Sequence, residues 1–238
     1  MLPYEACSAR FLPACLADAA SLEKPATGNP VYRDLTDEAP PKRELPLAES
    51  DKLQSMTAFT KQEALANRLD WEILRDGGIN LYWRCQYLEE DASWFRQKNY
   101  QVISCSCDKW TSNDAMHTDF QSALSLPDYY GRTLDALNDV LDDIAVPDEG
   151  GMVVVFNRFD VYAKGAGAAA TPRGPTEASV VLHIFARASR YFLLTGRRLL
   201  MLVQSDDPNI VFQNLAFSPV SWNRREFLSA NRGISQSL

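Results

Sequence analysis

The run GMVVVF, Gly151 to Phe156, constrains the fold of this chain more than any other segment. It holds no polar side chain, so a strand made from it needs apolar cover on both faces. RRLLMLV, Arg197 to Val203, ends in a second run of that kind, and Glu177 to about Leu194 between them has helical length and spacing. Upstream, INLYW (Ile79 to Trp83) follows the turn residues Asp76, Gly77 and Gly78 and reads as a strand. Gln86 to Lys98 reads as an amphipathic helix anchored by Leu88, Trp94 and Phe95, and YQVISCSC (Tyr100 to Cys107) as a buried strand. Thr111 or Ser112 caps a helix running to Leu124. Strands alternating with helices predict an α/β fold layered on a small, mainly parallel sheet. The tail, with FSPVSWNRREF, is expected to add an edge strand or a covering segment.

The N-terminal part has a different texture. Seven of the thirteen prolines fall within the first 46 residues. This predicts an irregular or partly disordered arm over 1–68, ahead of an α/β domain over 69–238. Within the arm, Thr60 and Glu63 have the spacing of a capping box for a short helix through Leu69. No apolar run approaches the roughly 18 residues of a membrane helix. The first twenty residues lack a basic region, and Arg10 and Pro13 break their apolar stretch, so no secretory signal and a cytoplasmic location are expected. The five cysteines are odd in number and lack framework spacing, which suits reduced thiols; Cys105 and Cys107, two apart on a strand, share a side. A net charge of −7 disfavours nucleic acid as a ligand, because phosphate neutralisation needs clustered Lys and Arg.

Signs of enzyme chemistry are weak. KGAGAAATPRGP (Lys164 to Pro175) contains a literal G-x-G-x-x-A, but it lies well past the apolar strand, and Pro172 and Pro175 block the helix a dinucleotide site needs. It reads as a loop. The two histidines have no serine or cysteine motif beside them: His117 lies on an exposed-looking helix, and His183 reads as a partly buried, hydrogen-bonded side chain. No cofactor, metal or catalytic residue is expected.

Charge is concentrated instead in PDYYGRTLDALNDVLDD, Pro127 to Asp143. The window 127–149 holds seven acids and one base, whereas the rest of 69–238 holds 14 acids and 15 bases. Thr133 is an N-cap candidate that puts Asp135 in the first turn, where the helix dipole favours it. Leu134, Leu137, Leu141 and Ile144 form one core stripe, and Asp135, Asp139 and Asp142 lie at i, i+4 and i+7 on another face with Asn138 between them. A solvated helix face is the plainest reading of those carboxylates. A metal site needs ligands converging from separate elements. Acid–base chemistry needs two carboxylates in unlike surroundings. The remaining reading is an anionic docking surface for a cationic protein patch.

The block PDYYGRTLDALNDVL, preceded by FQSALSL, resembles the signature of the barstar-like family, intracellular protein inhibitors of barnase-type ribonucleases. The later order of strand, loop, helix ASVVLHIFARAS and final strand is also similar, and the resemblance spans about Tyr100 to Gln204. It implies a three-layer α/β fold, no catalysis, and occlusion of the active site of a basic ribonuclease or ribonuclease-type toxin. Carried over by position, Asp135 and Asp139 would stand where the enzyme expects phosphates, and Tyr129, Tyr130 and Gly131 would supply the contact loop, with Asn138 and Asp142 beside them. The sequence departs from the family pattern at Arg132 and Arg187, where the family has acids, and at Asn138, where it has a large aromatic. An alternative remains open: a barstar-fold regulatory or scaffold module that binds a different, non-ribonuclease protein.

Overall fold

The computed structural model describes residues 57–172, 174–212, 215 and 220–233. The expected arm over 1–68 therefore lies mostly outside the described residues. Five strands form one sheet in the order β2-β3-β4-β1-β5, with every neighbour parallel. They are β1 (Ile79–Tyr82), β2 (Tyr100–Ser106), β3 (Gly151–Asn157), β4 (Leu199–Gln204) and β5 (Ser221–Trp222). The helices are α1 (Lys61–Leu65), α2 (Leu69–Arg75), α3 (Cys85–Gln97), α4 (Asn113–Ala123), α5 (Leu134–Val140), α6 (Phe159–Lys164) and α7 (Glu177–Leu194).

The apolar strand runs are explained by cover on both faces. Met152, Val154, Phe156, Leu199, Met201 and Val203 point into one core, with residues of α4, α5, α6 and α7. Val153, Val155, Leu200 and Leu202 point into another, with Ile73, Leu74, Leu88 and Phe95 of α2 and α3. Each fully buried side chain of this size contributes about 1.5–3 kcal/mol relative to exposure. The division of the helices follows from topology. The step from β1 to β2 crosses the sheet one way, and the steps β2 to β3 to β4 return the other way. Parallel crossovers share one hand, so opposite directions send their helices to opposite faces.

Several local expectations hold. Thr60 and Glu63 form the capping box and Ser112 caps α4, but the helix after Thr60 ends at Leu65 rather than running through Leu69, where the separate α2 begins; Thr176, which carried no expectation, caps α7. The tail does supply an edge strand, β5. Its following turn sends the fully buried Glu226 back to accept from the backbone N–H groups of Trp83 and Arg84 at the start of α3, at 3.0 and 2.9 Å. Asp70, also fully buried, accepts from Arg68, Arg198 and the Tyr100 hydroxyl, and so ties the segment before α2 to the starts of β2 and β4.

Three expectations need correction. YQVISCSC is a strand but an edge strand, so Gln101 and Ser104 are exposed while Tyr100 and Cys105 are buried. The helix α6 between β3 and the glycine loop was not anticipated; the loop follows that helix rather than a strand and continues into a 3-10 turn at Ala166–Ala168. The two histidines also exchange environments. His117 is 3% exposed, because it sits on the face of α4 with Met116 and Phe120, whereas His183 is on the solvent side of α7.

Candidate protein-docking site

The turn that precedes α5 is built from its own backbone. The Tyr130 N–H donates to the Pro127 carbonyl at 2.9 Å, and Arg132 takes a left-handed conformation with φ of 49°. The two tyrosines are sorted to opposite sides. Tyr129 is 81% exposed, whereas Tyr130 is 6% exposed and its hydroxyl is hydrogen-bonded to Nδ1 of His117. Burial pushes the Tyr130 phenol up and the His117 imidazole down, so both favour their neutral forms. Gly131 is exposed and has ordinary φ; a methyl there would lie 3.4 Å from Cβ of Ala136, so neither strain nor crowding demands glycine.

Thr133 then caps α5, its hydroxyl accepting from the Ala136 N–H at 3.1 Å. The leucine stripe packs inward as expected: Leu137 and Leu141 are fully buried, Ile144 is buried and Leu134 half-buried against the same core. Asp135 and Asp139 are exposed, one turn apart, on the solvent side. Among the described residues neither takes part in an ion pair, and the one side-chain bond between them and a neighbour is Asn138 Nδ2 donating to Asp139 at 3.4 Å.

Asn138 and Asp142 behave differently, and α7 is the reason. The Arg187 guanidinium donates through Nε to Asn138 Oδ1 at 2.7 Å, through Nη2 to the Asn138 carbonyl at 2.5 Å, and through Nη1 to Asp142 at 2.9 Å. It satisfies one of the carbonyls left unpaired at the C-terminal end of α5 and neutralises Asp142. The other Asp142 oxygen, Oδ1, is buried and without a hydrogen bond. Arg132 likewise folds back, donating to Gln121 at 3.2 Å and pairing with Asp114 at 3.4 Å on α4. Of the seven residues placed on a contact surface by sequence, the structure turns four outward, Tyr129, Gly131, Asp135 and Asp139. Tyr130, Asn138 and Asp142 are engaged with His117 and Arg187. The role of Arg187 had no local signal, because its partners lie 45 and 49 positions away.

Other chemistry finds little support. Among the described residues, no group of three or more His, Cys, Asp or Glu side chains converges as a metal site. Burial raises the thiols of Cys105 and Cys107, which disfavours the reactive thiolate. Among the described residues no helix is long and apolar enough to cross a membrane.

The family profile described as Barstar (barnase inhibitor) matches residues 100–204, a little under half of the chain. No curated protein matches the chain. Among solved structures, one chain from the structure of Drosophila ORC bound to AT-rich DNA and Cdc6 is 19% identical, with a TM-score of 0.40. That alignment covers 80% of this chain and 66% of that one, and at this TM-score it carries no argument. The matched segment holds β2, α4, α5, β3, α6, α7 and β4 in order, the layered α/β unit that carries the acidic helix. Over residues 100–204, this chain is similar to the barstar-like family.

Proposed function

We propose that the chain is a barstar-like protein inhibitor that binds a basic ribonuclease, or a ribonuclease-type toxin, and occludes its active site with the face formed by Tyr129, Gly131, Asp135 and Asp139. The observation that carries this reading is the pair of exposed carboxylates on α5 that, among the described residues, make no ion pair, shortly after an exposed tyrosine. Unpaired like charges one turn apart oppose the helix slightly and are compensated when a cationic partner arrives. An active site that binds phosphates presents cations at comparable spacing. Tyr129 offers the amphipathic ring that interface centres favour, and Gly131 leaves its backbone open to close approach. Nothing in this role calls for catalysis or a cofactor, and a reducing cytoplasm suits its free cysteines.

A second reading, a barstar-fold module docking on a different, non-ribonuclease protein, is favoured by Arg187. By pairing with Asp142 it shortens the acidic face. One experiment addresses both: mix the full chain with a barnase-type ribonuclease, and separately with any secreted ribonuclease or toxin encoded beside it. Inhibition by the wild type that falls at least about thirtyfold in Asp139→Ala, the size expected for losing a central contact of ~2 kcal/mol or more, supports the first reading. Equal inhibition by both proteins, or none by either, overturns it; a pull-down returning a non-ribonuclease partner that needs Asp139 would then support the second.

A further inference from the structure

The turn that carries Tyr129 and Gly131 outward is fastened to one face of α4. The Gln121 carbonyl accepts from the Leu126 N–H at 3.0 Å, and the Gln121 side chain donates to the Pro127 carbonyl at 3.4 Å. Arg132 donates to that side chain at 3.2 Å and pairs with Asp114. Between these anchors the Tyr130 hydroxyl bonds to Nδ1 of His117, the rings meeting edge to face with centroids 5.7 Å apart. Asp114, His117 and Gln121 lie at i, i+3 and i+7, so the three anchors share one side of the helix. Of the side chains involved, only an imidazole has an ordinary pKa, about 6.5, between pH 5 and 8.

The neutral ring suits this place. His117 and Tyr130 are 3% and 6% exposed, so a charge on the imidazole has little water to meet. Neutral, Nδ1 can accept the phenol proton; in the imidazolium it can only donate, and the phenol proton needs another acceptor. The groups facing the ring pull both ways. Burial, the largest effect, and the Arg132 guanidinium of the turn oppose the added proton, whereas Asp114 of α4 and Glu177 at the start of α7 favour it. Tyr162 of α6 donates to Asn113, one turn before His117, at 3.2 Å, and burial keeps its phenol neutral. The balance holds the imidazole below its ordinary pKa.

We propose that His117 is a proton-operated catch for the docking turn: the neutral ring holds Tyr130 in and Tyr129 and Gly131 out, and the imidazolium releases them, so the protein docks at neutral pH and lets its partner go in acid. The catch acts on the docking face proposed above and rests on that reading. A cationic partner closes the link. Its positive charge adds to that of Arg132, so the complex takes up the proton less readily than the free chain. Affinity is therefore full above the pKa of the free protein's imidazole and declines as pH falls through it, by at most about tenfold per pH unit for one proton.

Two measurements separate the catch from the docking reading. In the free full chain, proton NMR follows the imidazoles from pH 8 to 5, and His183→Gln shows which of the two resonances is His117. The Tyr130 amide, held by the Pro127 carbonyl, is expected to lose hydrogen-exchange protection, corrected for the intrinsic rate, with the midpoint of His117. Protection that ignores that midpoint overturns the proposal, whether or not a ribonuclease binds. The second measurement is inhibition of a barnase-type ribonuclease, or of one encoded beside the chain, by wild type and His117→Gln over the same range. Titrating groups of the ribonuclease affect both proteins alike. The wild type is expected to weaken about tenfold more than the variant, the effect of one pKa unit. Parallel profiles overturn the proposal. Should His117→Gln fail to fold, the His117 midpoint of the wild type decides: lower in the complex than in the free chain supports the catch, and equal midpoints overturn it. No inhibition by either protein removes the ribonuclease reading, and the Tyr130 amide alone then decides the catch.

Discussion

Tyr129 and Tyr130 are identical in chemistry and adjacent in sequence, yet they end at 81% and 6% exposure. The turn decides between them, and His117 is the residue that receives the buried one. Here sequence reasoning fails for a physical reason: helical phase. The α4 stretch NDAMHTDFQSA has polar residues on every side, so its inward face is fixed by the neighbours it meets rather than by its own pattern. The buried imidazole has a consequence for stability. Burial is the main cause depressing its folded-state pKa, and Arg132 adds to it, while Asp114 and Glu177 act the other way. The unfolded ring titrates at about 6.5. Above that pH both states are neutral and the contribution is fully present; as pH falls through 6.5 the unfolded chain takes up the proton first and stability declines. Denaturant midpoints measured from pH 8 to 5 are expected to fall in the wild type. His117→Gln should show a lower midpoint at pH 8, having lost the ring's contact with Tyr130, but a shallower decline. Parallel curves for the two proteins would refute this account.

At the scale of elements, the strands were legible because burial on both faces leaves a sequence no polar choice, and the caps because Thr60, Ser112 and Thr133 are local signals. What joins the elements was not legible. Arg187 looks like a charge on the polar side of α7, and its departure from the barstar-like pattern looked unrelated to that of Asn138. In the structure the two departures meet, and one guanidinium holds the last turn of α5 through Asn138 and Asp142. The pair is about one-third exposed on each side, so its charge contribution is moderated by solvent, and the carbonyl bond is the larger loss. Arg187→Ala is expected to cost about 1–2 kcal/mol of stability. Arg187→Lys should recover little of it, since a single ammonium cannot reproduce the fork to two acceptors on one residue and a third on the next turn. Urea unfolding of the three proteins checks both statements, and full rescue by lysine would show that charge alone matters. If the proposed function holds, Arg187→Ala should also speed dissociation from the ribonuclease, because Asp139 sits on the turn it fixes.

For the whole molecule, the sign and place of the charge matter more than its total. The formal net charge is −7, and the window 127–149 accounts for −6 of the chain from residue 69 onward being only −5. The rest of that region is balanced, much of it through internal pairs such as Lys164–Asp207, Arg158–Asp206 and Arg225–Asp91. The field outside the protein therefore has a direction and favours arrival of a cationic surface at α5. Long-range attraction of this kind acts on encounter, whereas contacts closed off from solvent act on dissociation. The two can be separated with residues of the same patch. Asp143 and Glu149 are exposed and outside the proposed contact. Neutralising them as Asp143→Asn and Glu149→Gln is expected to lower the association rate with a basic ribonuclease and leave dissociation unchanged. Asp139→Ala should mainly raise dissociation. Added salt should slow wild-type association steeply as the screening length shrinks to about 10 Å near 0.1 M, and slow the doubly neutralised protein less. Surface plasmon resonance across a salt series measures both rates. An association rate indifferent to salt would show that the acid patch does not steer, whatever Asp139 does once docked.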